Sequence, residues 1–198
     1  LAGLRALQED PATRVIVLVS KPPAEKVVNK LLEQVARSKK PTVVCFLGLQ
    51  STPAPTLPAN AFIVSTLEES ALQAAKLASY HTTARVGKQD IAPVKDLADL
   101  RSRLQPEQRC LRGLFSGGTL CFEAQVIWRD LLNEPVYSNA PLDKKHQMTD
   151  SLHSQGNSAI DLGEEEFTVG RPHPMIDNDL RIRRLLQEAR DPDVAVIM

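Results

Sequence analysis

The stretch GLFSGGTLCFEA, residues 113–124, places Ser116, Gly117, Gly118 and Thr119 between a short apolar run and a helix-like pattern. A strand that turns through Gly-Gly into a helix leaves backbone N–H groups without acceptors at the positive end of the helix dipole. Such an end attracts anions, phosphate above all. Gly117 and Gly118 let a ligand approach the main chain closely. The hydroxyls of Ser116 and Thr119 can cap the helix or donate to phosphate oxygens. The same four residues also make an ordinary tight turn. The stretch lacks the Lys of a P-loop and the full GxGxxG spacing, so the motif alone leaves both readings open.

Other residues with chemical potential are fewer. Gly163 ends the run SAIDLG and Glu164 follows it, on what would be the same ligand side of a parallel sheet. Glu164, Glu165 and Glu166 form a charge run, which more commonly marks a solvated face. Of the four histidines, His81, His146 and His153 read as surface residues. His173, between Arg171 and Pro174, lies in a loop expected to face the ligand side. No histidine pairs with a cysteine or carboxylate at metal-ligand spacing, and no metal site is expected.

The elements that must position these residues follow from hydrophobic spacing. RVIVLV (14–19) and TVVCFLG (42–48) read as buried strands around an amphipathic helix over 24–38. A strand, a helix and a strand joined by short turns make a βαβ unit and a parallel sheet. AFIVS (61–65) is a short strand, and a helix over 67–79 takes Thr66 as its N-cap. A further helix is expected within 91–104, broken near Pro106, where a domain boundary is placed. Residues 110–115 form a strand, 120–132 a helix, and 135–149 an exposed loop. Residues 158–163 form a strand, 163–177 a loop, 179–189 a helix, and VAVIM a last strand.

Composition narrows the function classes. Twenty-four basic residues balance 24 acidic ones, and aromatic residues are 4% of the chain, which argues against nucleic acid as the main partner. No apolar run approaches a membrane span. Cys45, Cys110 and Cys121 are odd in number and widely spaced, which fits a reducing, cytoplasmic setting.

The two ends of the chain resemble each other. LRALQEDPATRVIVLV (4–19) and LLQEARDPDVAVIM (185–198) both run from a helix through Asp-Pro into a strand. Either two helix-to-strand turns are alike by chance, or two tandem copies of one α/β domain, each incomplete, account for this; the second is the sharper reading. Residues 1–106 would be the second half of a first copy plus a linker, and 107–198 the first half of a second. The chain is then expected to be an internal piece of a longer protein. Its missing halves would come from the rest of that protein, from another chain, or from packing of the two halves on each other.

GLFSGGTLCFEA and the later SAIDLGEEEFTVGRPHPMID resemble the ligase domain of succinyl-CoA synthetase α chains, and most closely the FdrA-type acyl-CoA-synthetase-like branch. The resemblance implies tandem flavodoxin-like or Rossmann-like parallel sheets. It implies that Ser116, Gly117, Gly118 and Thr119 bind phosphate, and that Glu123 matches a family position. The synthetases carry phosphate on a histidine in a Gly-His-Ala-Gly loop. That loop should fall between Leu49 and Val64, where this sequence has no histidine. The supporting glutamate that follows the first strand in the synthetases is replaced here by Ser20-Lys21-Pro22. Phosphoryl relay through histidine is therefore not expected of the first copy.

Three functions follow from the resemblance. The first is a subunit that binds phosphate or an acyl or carbamoyl phosphate, as in oxamate carbamoyltransferase, which turns oxalurate and phosphate into oxamate and carbamoyl phosphate. The second is an acyl-CoA ligase, for which CoA would be the cofactor. The third is a non-catalytic scaffold or regulatory protein. Companion subunits or a homo-oligomer are expected in the first two cases.

Overall fold

The computed structural model describes residues 1–48, 57–78 and 97–198. It divides into two compact units, Leu1–Ile91 and Ala92–Met198. His81, most of the loop expected after CFLG and the first half of the helix expected within 91–104 lie outside the described residues.

In the first unit, α1 (Ala2–Glu9) leads to β1 (Ile16–Ser20), α2 (Glu25–Ala36), β2 (Thr42–Phe46), β3 (Ala61–Val64) and α3 (Leu67–Leu77). The strands are parallel in the order β1-β2-β3, with Leu18 opposite Val44. Strand β2 is buried at every residue. Val28 and Leu32 of α2 pack on Val44 and Phe46, and Leu4 of α1 packs with Ile16 and Val35. The expectation that 14–19 is a fully buried strand is corrected. Strand β1 starts at Ile16 and pairs only with β2 among the described strands, leaving Val17 and Val19 41% and 42% exposed. The N-cap assigned to Thr66 is present as a full capping box. Its hydroxyl accepts from Glu69 N at 3.1 Å, and Glu69 Oε2 accepts from Thr66 N at 3.3 Å.

In the second unit, α4 (Leu97–Ser102) precedes β4 (Cys110–Phe115), α5 (Gly118–Leu132), β5 (Val136–Ser138), β6 (Asn157–Asp161), α6 (Glu165–Thr168), α7 (Asp179–Glu188) and β7 (Val194–Ile197). The sheet is wholly parallel, in the order β5-β6-β4-β7. Strand β4, which leads into the Gly-Gly turn, is therefore central. On one face, Cys121, Ala124 and Trp128 of α5 pack on Val136 and Ala159. On the other, Met148, Ile160, Leu162 and Phe167 form a second cluster. At Gly113 a Cβ would lie 2.6 Å from the Trp128 ring, so glycine there admits the indole against β4.

Two loop expectations are corrected. Residues 135–149 contain β5 and a 3-10 turn at Lys144–His146, and Val136 and Ser138 are buried. Three residues are too few for alternation to show a strand; burial of Val136 beneath Trp128 makes one. Residues 163–177 include the short helix α6, whose Phe167 is buried. Helix α5 begins two residues before Leu120, so Gly118 and Thr119 belong to its first turn.

A buried ionic cluster locks α7 to the sheet. Arg112 of β4, 2% exposed, donates to Glu188 Oε2 at 3.1 Å and to Asp191 Oδ2 at 2.9 Å. Arg184 donates to Glu188 Oε1 at 2.7 Å and to the Ser151 carbonyl at 2.6 Å. The N–H of Asp193, and then the Arg112 guanidinium, hold the Asp191 carboxyl below its usual range against the opposing effect of burial.

The similar chain ends form the same turn. Asp10 Oδ1 accepts from Ala12 N and Asp191 Oδ1 from Asp193 N, both at 3.0 Å. The Asp10 carbonyl accepts from Thr13 N at 3.1 Å and that of Asp191 from Val194 N at 3.2 Å. Among the described residues no helix is long and apolar enough to cross a membrane.

Candidate functional site

The N-terminus of α5 opens at the carboxyl end of the central strand β4. Gly117 is the N-cap, with φ −177°, and no side chain caps the helix. The first bond into the helix, Cys121 N to Gly117 O, is long at 3.4 Å. The helical geometry leaves the N–H groups of Gly118, Thr119 and Leu120 without acceptors inside the helix. A Cβ on Gly117 would meet nothing within 4 Å. The glycine there serves neither an unusual backbone angle nor tight packing. The space beside Gly117 is open enough to take a side-chain atom.

The turn after β6 closes one flank of this site. Leu162 N donates to the Phe115 carbonyl at 2.8 Å, tying the ends of β6 and β4 together. At Gly163 an added Cβ would lie 2.8 Å from the Ser116 carbonyl oxygen, 3.1 Å from Asp161 Oδ1 and 3.1 Å from His173 Nε2. Three polar atoms from three segments thus converge on one small volume, which only glycine leaves clear.

His173 is oriented from behind. Its Nδ1 accepts from Met175 N at 3.2 Å, and its carbonyl accepts from Ile176 N and Asp177 N at 2.8 and 3.0 Å. With Nδ1 an acceptor, the neutral ring carries its proton on Nε2, the nitrogen beside Gly163.

The structure therefore brings Ser116, Gly117, Gly118, Thr119, Gly163 and His173 to one end of the second sheet. Glu164 is the N-cap of α6, and its side chain lines a neighbouring hollow of about 360 Å³ together with Asn139, Ser151 and Glu166. Glu123 stands one turn into α5, half-buried. His146 stacks edge-on against Tyr137, and exposed His153 pairs with Asp150 at 2.6 Å. Burial raises the Cys110 thiol pKa, which keeps it protonated at the opposite end of β4.

Sequence reasoning missed two residues. Asp161, 1% exposed, accepts from Gly163 N at 3.0 Å and shapes the turn. Asn139 holds Asp161 from the other side: its Oδ1 accepts from Asp161 N and its Nδ2 donates to the Asp161 carbonyl, both at 2.9 Å. The available signal was the acid itself, ending an otherwise apolar strand in SAIDLG, where a carboxylate needs partners.

Residues 114–198 match the CoA-ligase family model. The matched span runs from the end of β4 through β7 and includes every residue of the site. The uncharacterized protein YahF of Escherichia coli K12 is 41% identical over 203 residues, covering all of this chain and 38% of YahF. The chain thus spans about two fifths of the curated relative it matches. The CoA-ligase match supports the succinyl-CoA-synthetase-like reading of the second unit, and the sheet has the expected parallel α/β architecture.

Proposed function

We propose that residues 107–198 carry the phosphoryl-binding half of a succinyl-CoA-synthetase-like ligase domain. Ser116, Gly117, Gly118 and Thr119 hold phosphate, or the phosphoryl group of an acyl phosphate. The observation that carries this is the uncapped start of α5, fronted by open space at Gly117. Residues 1–106 are then the second half of a first copy, a reading favoured by the shared Asp turn before β1 and β7. The rest of the domains comes from other parts of a longer protein or from companion subunits, acting in the cytoplasm.

Two chemistries suit such a site. The CoA-ligase match favours acyl transfer between an acyl phosphate and CoA. The resemblance to FdrA-type proteins, with no histidine between Leu49 and Val64, favours carbamoyl transfer. In that reaction a phosphate oxygen attacks the carbamoyl carbon of oxalurate. The C–N bond breaks, and oxamate leaves after its nitrogen takes a proton. The N–H groups that hold the phosphate would also stabilise charge developing on the carbonyl oxygen.

Calorimetric titration of the intact protein with carbamoyl phosphate, with CoA for comparison, tests the proposal. Saturable binding of carbamoyl phosphate alone supports carbamoyl transfer, whereas binding of both supports the ligase. Binding of neither leaves the α5 start as a turn and moves the protein to the scaffold class.

A further inference from the structure

We propose that the free edge of β7 is covered by a helix–strand pair built like α2–β2 and supplied by the same polypeptide. This rests on the tandem-copy reading above and not on phosphate binding. The first unit is the template. DPATRVI (10–16) and DPDVAVI (191–197) align without a gap and make the same turn. Ile197 thus takes the place of Ile16, and Leu185 of α7 the place of Leu4 of α1. In the first unit Leu4 and Ile16 form a buried cluster with Val35 of α2, and Leu4 is 6% exposed. In the second unit Leu185 is 45% exposed. With Leu114, Ile182, Ile197 and Met198 it lines a groove of about 350 Å³.

The backbone agrees with the side chains. Met198 N donates to the Arg112 carbonyl, and its own carbonyl accepts from Leu114 N, both at 2.8 Å, so Met198 faces β4. Backbone groups of successive strand residues point to opposite sides, so those of Ile197 face the free edge. In β1 the equivalent Ile16 N donates at 3.0 Å to the carbonyl of Pro41, which leads into β2. Among the described strands β7 pairs only with β4, and an unpaired edge beside an apolar groove is a template for a further strand. The groove also sets the chemistry of its cover. Its lining suits the apolar stripe of an amphipathic helix, with a residue such as Val35 against Leu185 and Ile197. Arg181 lies in the same wall, and its Nε is buried without a hydrogen-bond partner. Such a donor is costly to leave unpaired, so the cover brings it a carbonyl or carboxylate oxygen. In the first unit α2 does this for another arginine: Gln34 Oε1 accepts from Arg5 Nε at 3.3 Å. Only residues 21–24 join β1 to α2, so in the template strand and cover belong to one chain. YahF, of which this chain covers 38%, is long enough to hold such a pair.

Amide hydrogen exchange of the intact protein, read by nuclear magnetic resonance at Ile197 over a range of protein concentrations, tests this. The expected result is exchange slowed about a hundredfold or more at every concentration, as for a strand paired on both sides. Leu185→Arg puts a charge in the groove and should return Ile197 to fast exchange. The Leu114 amide, bonded to Met198, should stay protected in that variant and so report an intact sheet. Fast exchange at Ile197 in the wild type refutes the inference. Protection lost on dilution gives the edge to a second copy or a companion chain and overturns the claim of one polypeptide. Protection that survives Leu185→Arg overturns the covering helix. Phosphate binding together with fast exchange at Ile197 refutes this inference alone and leaves the α5 site standing.

Discussion

Replacing Gly163 by alanine tests the convergence of segments at the site. The new methyl would sit 2.8 Å from the Ser116 carbonyl oxygen and 3.1 Å from both Asp161 Oδ1 and His173 Nε2. The first contact is with main chain, fixed by the bond of Leu162 N to the Phe115 carbonyl, and does not rotate away. Overpacking of this kind costs about 1–3 kcal/mol. Gly163 does not have a positive φ, so alanine also gains about 0.4–1 kcal/mol by restricting the unfolded chain. The net expectation is a loss of about 1–2 kcal/mol, seen as a melting temperature lower by a few degrees. Phosphate binding should weaken as well, because the methyl displaces either Ser116 or His173. Gly117→Ala is the control: its Cβ meets open space, so stability stays within about 0.5 kcal/mol while phosphate binding falls. A G163A protein as stable as wild type, with unchanged phosphate binding, would refute the close approach of these three segments.

Further predictions concern the scaffold. Thr66→Ala removes the capping box of α3 and should destabilise the first unit by about 1 kcal/mol in chemical denaturation, without affecting phosphate binding. Glu188→Gln leaves Arg112 and Arg184 buried without their shared carboxylate. A loss of about 3–5 kcal/mol is expected, enough to show as poor folding yield. The Asp191 carboxyl is held below its unfolded pKa, chiefly by the Asp193 N–H. Its contribution is therefore present above about pH 4 and lost as pH falls through the lowered value. Asp191→Asn should flatten the acid limb of a stability-versus-pH curve, and an unchanged limb would contradict that linkage.

Much of the fold is legible in the sequence because the signals are local. Strand β4 is read at its observed ends, since an apolar run is bounded on one side by Pro106 and on the other by Gly-Gly. Helix α3 is announced by Thr66 and Glu69 at capping-box spacing. Strand β5 is hidden because its three residues owe their place to pairing with β6 and to packing of Val136 with Trp128, both distant in the chain. The exposure of β1 is hidden for the same reason: its sequence reads as buried, but its place in the sheet is non-local. In the site, Ser116 to Thr119 are visible as a motif, and Gly163 and His173 as residues at strand ends. Asp161 and Asn139 are legible only once β5 and β6 are paired, because their bonds run between strands.

The central claim is that the start of α5 holds a phosphoryl group through main-chain N–H groups. Nuclear magnetic resonance of the intact, amide-labelled protein titrated with inorganic phosphate tests it most directly. Saturable shifts of the Gly118, Thr119 and Leu120 amide signals are expected, with one dissociation constant for all three. Saturable binding that leaves these amides unmoved, or no binding at all, would contradict it.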